Sequence, residues 1–228
     1  MRLVKIKEIV VPGQLLDEGK IKPGQGAYRD RADGKIYASR LGVPLKRRDF
    51  INVIPLTGCY LPKPDELVIG IIVDVAPSYW IVDVNAPYPA VLHVNDVPWK
   101  VEFGETSKYL SIADVVLIKI SRVSETEQIQ VSMRDRNLRK FVGGQVIEIQ
   151  PTKVPRVIGK KQSMIELVKR YLNVWIFIGK NGRIWLNGEG KSTRLAIKAI
   201  RQIEKEAHTE GLTDRIKEWL EMNKSENM

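Results

Sequence analysis

The sequence predicts a multidomain chain that is mainly β with a C-terminal α/β module. It divides into a small N-terminal β domain over residues 1–64, a five-stranded barrel over 65–135 and a β-α-α-β-β-α module over 136–228. Three observations predict this. Charge changes sign twice along the chain: residues 1–64 carry 13 basic and 6 acidic side chains, 65–133 carry 4 and 10, and 134–228 carry 20 and 11. Proline-glycine turn signals crowd the first part. Short apolar runs dominate up to Met133, whereas apolar residues at helical spacing appear only later.

In the first part, Val11-Pro12-Gly13-Gln14 and Lys22-Pro23-Gly24-Gln25 each place Pro then Gly at the centre of a type II turn. Lys35 to Ser39 and Phe50 to Pro55 are short strands. Leu61-Pro62-Lys63-Pro64 is a stiff linker, because two prolines hold it extended. The second part supplies strands at Leu67–Ala76, Tyr79–Val84, Ala90–Val94, Asp114–Val123 and Gln128–Met133, the last two joined by the polar turn Ser124-Glu125-Thr126-Glu127. Gly70 marks a bend of the kind a tight barrel needs. Five strands in roughly 70 residues suit the five-stranded OB fold.

The third part opens with a strand at Val146–Gln150 and a short helix running to Ile158. After Gly159-Lys160-Lys161-Gln162 a second helix starts at Ser163. Val174–Ile178 and Arg183–Leu186 form a hairpin across Gly179-Lys180-Asn181-Gly182, where Asn-Gly is a strong turn signal. A long helix from Ser192, its N-cap, to His208 buries Leu195, Ala196, Ala199, Ile200, Ile203 and Ala207. A final helix covers Thr213–Met222. This element order is that of a KH domain.

Composition narrows function. A net charge of +10 and a pI near 9.6 point to an anionic partner. Cys59 is the only cysteine, which excludes an intramolecular disulfide and a Cys-rich zinc site. His93 and His208 stand far apart, with no ligand-spaced cluster, so no metal and no cofactor is expected. No apolar run approaches the length of a membrane span, and charged residues interrupt the segment after Met1. A cytoplasmic protein with no membrane partner is expected. Gly190-Lys191-Ser192-Thr193 imitates the end of a phosphate-binding loop, but Trp185 stands where its first glycine would be. No catalytic set emerges, and the chain reads as a binding protein.

The binding residues follow from charge and position. Gly159, Lys160, Lys161, Gln162 and Ser163 lie between two helices and open the second, where free N–H groups and partial positive charge favour phosphate; Arg156 lies just upstream. In KH modules a GXXG loop clamps the nucleic-acid backbone, and here Gln162 replaces the second glycine. The barrel offers Tyr79, Trp80, Tyr88 and His93 for base stacking, with Lys119, Arg122 and Arg134 as phosphate contacts. Lys191, Arg194, Lys198, Arg201 and Lys205 share one face of the long helix, which reads best as its solvated side.

Residues 65–135 resemble the RNA-binding OB domain named after ribosomal protein S-one, through Leu67-Val68-Ile69-Gly70-Ile71-Ile72, Val91-Leu92-His93-Val94-Asn95-Asp96 and Ile129-Gln130-Val131-Ser132-Met133-Arg134. The aromatic pair of its second strand is displaced, with Ser78 and Ile81 in those places. Residues 145–208 resemble a KH domain through Val157-Ile158-Gly159-Lys160-Lys161-Gln162-Ser163-Met164-Ile165. With the N-terminal β module in front, the chain is similar to the KH-bearing RNA-binding cap subunits of the archaeal exosome. The resemblance implies a non-catalytic subunit that binds single-stranded RNA. Three cap subunits would sit on a ring of phosphorolytic RNase subunits and guide the RNA 3′ end inward, with residues 1–64 docking on the ring. Transcription antitermination factors, which also set this OB domain before KH modules, are the alternative.

Overall fold

The computed structural model describes residues 8–207, 209 and 211–225. They divide into two compact units, 1–58 and 59–228. The first unit holds β1 (Leu15–Asp17), β2 (Lys22–Pro23), β3 (Ala27–Arg29), β4 (Ile36–Ala38), β5 (Gly42–Lys46) and β6 (Phe50–Pro55). These form two three-stranded sheets, β1-β4-β3 and β2-β6-β5, around Val10, Leu16, Ile36, Ala38, Ile51 and Val53. Of these strands the sequence reading found β4 and β6; β1, β2 and β3 run only two or three residues, and Gly42 and Pro44 mask the strand pattern of β5. The Arg29 guanidinium ties three turns by donating to the carbonyls of Gly19, Ile21 and Gly34 at 3.0, 2.7 and 2.8 Å.

The turn at Val11–Gln14 forms as expected: Gln14 N–H donates to Val11 O at 3.1 Å and Gly13 has φ 81°. The second expected turn shifts. Lys22 and Pro23 pair with β6, and the chain turns at residues 24–27, with Ala27 N–H donating to Gly24 O and Gly26 at φ 78°. The side chain of Asn52 decides this, because its Oδ1 accepts from Gln25 N–H and crowds Gly24.

The boundary between units falls before Tyr60 and not after Pro64. Tyr60 is buried in the barrel core and its hydroxyl donates to Glu66 Oε2 at 2.7 Å. The barrel is built from β7 (Leu67–Val75), β8 (Tyr79–Asp83), β9 (Ala90–His93), β10 (Val115–Val123) and β11 (Ile129–Ser132). The order β11-β9-β8-β7-β10 closes through β10–β11 pairing, with β9 and β11 parallel. All five strands match the sequence expectation. At Gly70 a Cβ would lie 2.3 Å from a Val82 methyl and 2.9 Å from Ile118 Cδ1, so only glycine leaves room for the side chains of the neighbouring strands β8 and β10. Trp80, Val68, Leu92, Ile118 and Val131 fill the interior. The short β12 (Arg139–Lys140), unforeseen from sequence, extends β10 at the rim.

The remaining elements are β13 (Gln145–Glu148), α1 (Val154–Ile158), α2 (Ser163–Leu172), β14 (Trp175–Ile178), β15 (Arg183–Asn187), α3 (Gly190–Lys205) and α4 (Leu212–Ser225). The sheet order is β13-β15-β14, all antiparallel. Its core joins Ile184 and Leu186 to Val157, Val168, Ala196, Ile200, Ile203, Ile216 and Leu220 of the helices. Each such aliphatic side chain contributes about 1.5–3 kcal/mol by leaving water. α3 starts two residues before the expected Ser192. Glu189 takes the N-cap position and Thr193 N–H donates to its carbonyl at 2.8 Å. The expected end at His208 lies outside the described residues.

Barrel and KH module belong to one unit because the β14–β15 turn plugs the barrel. The fully buried Asn181 Nδ2 donates to the carbonyls of Ile69 and Val84 at 2.8 and 2.9 Å, and its Oδ1 accepts from Ile69 N–H at 3.3 Å. Lys180 N–H donates to Leu67 O at 3.0 Å, and Asn85 Nδ2 to Asn181 O at 2.9 Å. Arg183 bridges the joint, bonding Glu148 Oε1 at 2.9 Å, Asp83 O at 2.6 Å and Asp83 Oδ2 at 2.5 Å. Trp185 stacks on Phe141, ring centroids 4.4 Å apart, and donates to Gly143 O at 2.9 Å.

Two outcomes follow. Asn181→Ala strands buried backbone groups of Ile69 and Val84, each costing about 1–3 kcal/mol. Urea denaturation should show a loss of about 3 kcal/mol, against almost none for the exposed Lys180→Ala. Burial raises the Asp83 pKa, but the hydrogen bond from Arg183, the Asn85 N–H and the Arg183 charge outweigh it, so the carboxyl titrates below its ordinary 3.8. A lowered folded pKa gives stability that is present above the unfolded value and lost as pH falls through the folded one. Melting temperature should therefore fall more in the wild type than in Asp83→Asn as pH drops from about 5 to about 3. Equal slopes would remove Asp83 from the joint's acid sensitivity.

Candidate nucleic-acid interface

α1 is a single short turn and a half, set up by Pro155 in its first turn and ended by Gly159 at φ 77°. Only glycine fits there: a Cβ would lie 2.7 Å from both Met164 N and Met164 Cβ. Lys161 (φ 52°, ψ 36°) and Gln162 (φ 66°, ψ 10°) then take left-handed conformations, and α2 begins at Ser163. The loop does not avoid the left-handed region at Gln162, as a β-carbon there would favour. The chain must reverse direction within four residues while Met164 and Ile165 drop into the core, and that burial outweighs the backbone cost. Gln162 N–H donates to Gly159 O at 3.2 Å and closes the turn.

No side chain caps α2. The Ser163 N–H donates to Lys160 O, and the positive end of the helix dipole lies at the loop, where it suits an anion. Lys160, Lys161, Gln162 and Ser163 are all exposed there. Arg156 is anchored: Nη2 donates to Thr209 O at 2.6 Å, which ties α1 to the segment before α4. From Ser163 a groove of about 580 Å³ runs between α2 and α4, lined by Glu166, Leu167, Arg170, Tyr171 and Lys217. The sequence reading missed Arg170 and Lys217. Their place beside the loop depends on how α4 docks, which no local pattern states.

The barrel candidates separate into surface and core. Tyr79 is exposed and pairs in register with His93 of β9. His93 Nδ1 accepts from Asn95 N–H at 3.2 Å. Trp80 is corrected: it is fully buried, and its indole N–H donates to Leu110 O at 3.2 Å, so it offers no face to a base. Lys119 is held by Asp65 at 2.9 Å and Asp135 at 3.6 Å, and the Asp65 hydrogen bond leads in holding its pKa above the ordinary value. Arg134 Nε donates to Asn95 O at 2.7 Å. Arg122 is exposed and pairs in register with Gln130. Tyr88 lies apart, against Leu61, Pro62 and Val123 in a shallow groove. The basic stripe on α3 faces solvent, with Arg194 bound to Gly190 O and Arg201 to Glu148 O.

A closed five-stranded barrel joined to a KH module whose phosphate-facing loop is exposed defines an RNA-binding protein. Residues 144–192 match the KH domain family, and residues 7–57 match the family described as the exosome RNA binding protein RRP4 N-terminal domain. The exosome complex component Rrp4 of Picrophilus torridus is 42% identical over 224 residues, covering 98% of this chain and 96% of that one. Rrp4 of Methanosarcina mazei is 44% identical over 214 residues, covering 94% and 82%. Rrp4 of Thermoplasma acidophilum is 39% identical over 226 residues, covering 99% and 94%. A crystal structure described as an exosome complex RNA-binding protein superposes with a TM-score of 0.69 at 34% identity, over 75% of this chain and all of that one. The chain belongs to the Rrp4 family of exosome components. Membership sets aside the antitermination reading.

Gln162→Gly relieves the left-handed strain of a residue with a β-carbon, about 1 kcal/mol. Chemical denaturation should show a gain of that size. An unchanged or lowered midpoint would mean that the glutamine side chain itself stabilises the loop.

Proposed function

We propose that the chain is a non-catalytic cap subunit that captures single-stranded RNA and guides its 3′ end into a phosphorolytic RNase ring. Three cap subunits surround the entry, in the cytoplasm, with residues 1–64 as the part that docks on the ring. The observation that carries this reading is the uncapped start of α2 beside the exposed Lys160 and Lys161. Two exposed point charges stand beside a helix start that no side chain caps, which is the chemistry of a backbone phosphate. The loop reads phosphate and not base, so it suits a subunit that must accept RNA of any sequence.

Tyr79 and His93 on the barrel supply rings for stacking, and Arg122 and Arg134 supply charge. Each ring accepts any base, because every base has a π face. Among the described residues no group of three or more His, Cys, Asp or Glu could hold a metal ion. Among them no helix is long and apolar enough to cross a membrane. In this reading chemistry belongs to the ring, and the cap contributes capture and direction.

The test is the salt dependence of binding. Each phosphate neutralised on a single strand contributes about −0.7 to the slope of log affinity against log salt. Replacing both Lys160 and Lys161 by Ala should weaken binding of a short labelled oligoadenylate and make the slope shallower by about 1.4. Unchanged affinity and slope would move the RNA path to the barrel, through Arg122 and Arg134.

A further inference from the structure

Trp175, the first residue of β14, is 76% exposed, and Val142 is 80% exposed. Both line one cavity of about 330 Å³ with Arg139, Lys140, Phe141, Trp185 and Asn187. Leaving an indole in water costs the burial that an aromatic ring otherwise contributes, and a neighbouring valine doubles the apolar face. Such a patch marks a binding site.

The chemistry of the lining narrows the ligand. Trp175 offers a ring with an open face on an edge strand, in register with Asn187 of β15. The stacked Phe141–Trp185 pair lies at the same cavity. The Arg139 guanidinium sits 5.9 Å from the Phe141 ring centroid and is exposed. Lys140 Nζ is 2.6 Å from Asp114 Oδ2, so its charge is partly spent and Arg139 is the stronger anion contact. Among the described residues no carboxylate lines the cavity, while an amide, Asn187, does. An exposed ring, a free guanidinium and an amide together fit a nucleotide: a base on the ring, its phosphate on the cation, its edge on the amide.

We infer that Trp175 and Arg139 form a second RNA contact, stacking one base of a single strand that is also held at the Lys160–Lys161 loop. The inference rests on the RNA-binding reading of that loop. α2 runs from the loop to the segment before β14, and its ten residues span about 15 Å, so one strand of a few nucleotides reaches from one site to the other.

The test uses the full chain and a fluorescein-labelled short oligoadenylate, titrated by anisotropy at fixed salt. Trp175→Ala should weaken binding roughly tenfold. Trp175→Phe, which keeps a ring, should stay within about threefold. Arg139→Gln should weaken binding and make the salt slope shallower by about 0.7. Circular dichroism checks that each variant folds, which the exposure of both side chains favours. If Trp175→Ala binds like wild type while the Lys160/Lys161 double variant is weakened, the inference is wrong and the loop reading stands. If Trp175→Ala keeps its RNA affinity but no longer co-elutes with the ring subunits, the patch is a protein interface and the inference is equally overturned. If the wild type binds no RNA, both readings fall together.

Discussion

The amide of Asn181 has its hydrogen-bonding capacity met by the backbone of a different module, and the arrangement of residues 59–228 depends on that fact. A buried amide without partners is costly, so the β14–β15 turn is stable only where Ile69 and Val84 present their carbonyls. Around this contact the other parts of the joint fall into place. Arg183 has a buried side chain that is tolerable because two carboxylates and a carbonyl surround it. Trp185 finds a stacking partner in Phe141 only when the turn is seated. The sheet that carries α2 and the phosphate-facing loop is thereby fixed to the barrel that carries Tyr79 and His93.

The charge distribution acquires meaning from this joint. The barrel segment is acidic and the module after it is basic, so a polyanion is drawn to the latter first. On the barrel, Lys119 is already paired with Asp65 and Asp135, and Arg134 is bound to Asn95, so little free cation remains there. Beside the rings of Tyr79 and His93, the exposed Arg122 is a barrel cation that remains. In the function proposed above, a strand held electrostatically at one module and by stacking at the other is gripped without any base being specified.

Much of this was legible in the chain. The five barrel strands and the β-α-α-β-β-α order followed from apolar runs, turn residues and the switch to helical spacing, because in both modules local pattern and tertiary burial agree. The loop between α1 and α2 was legible because Gly159 and two lysines precede a helix start. What was not legible depends on contacts distant in sequence. β1, β2, β3 and β5 are short segments whose pairing is set by neighbours, and Asn52 rather than Pro23-Gly24 positions the second turn. Trp80 and Tyr79 alternate faces of one strand, so stacking candidates chosen by ring alone include one from the core. The exposed Trp175 looked like an ordinary strand residue, and Arg170 and Lys217 met only once α4 was packed.

In a free-standing KH module, the turn between the second and third strands could lengthen or shorten without consequence, as surface turns commonly do. Here that turn is a plug of four residues, Gly179 to Gly182, whose dimensions are dictated by the barrel rim. At Gly179 a Cβ would sit 2.9 Å from Ile69 N of the barrel, and at Gly182 one would sit 2.3 Å from Ile149 O of the KH module itself. A change of length at the turn is therefore a change to both modules, because it withdraws Asn181 from the carbonyls of Ile69 and Val84.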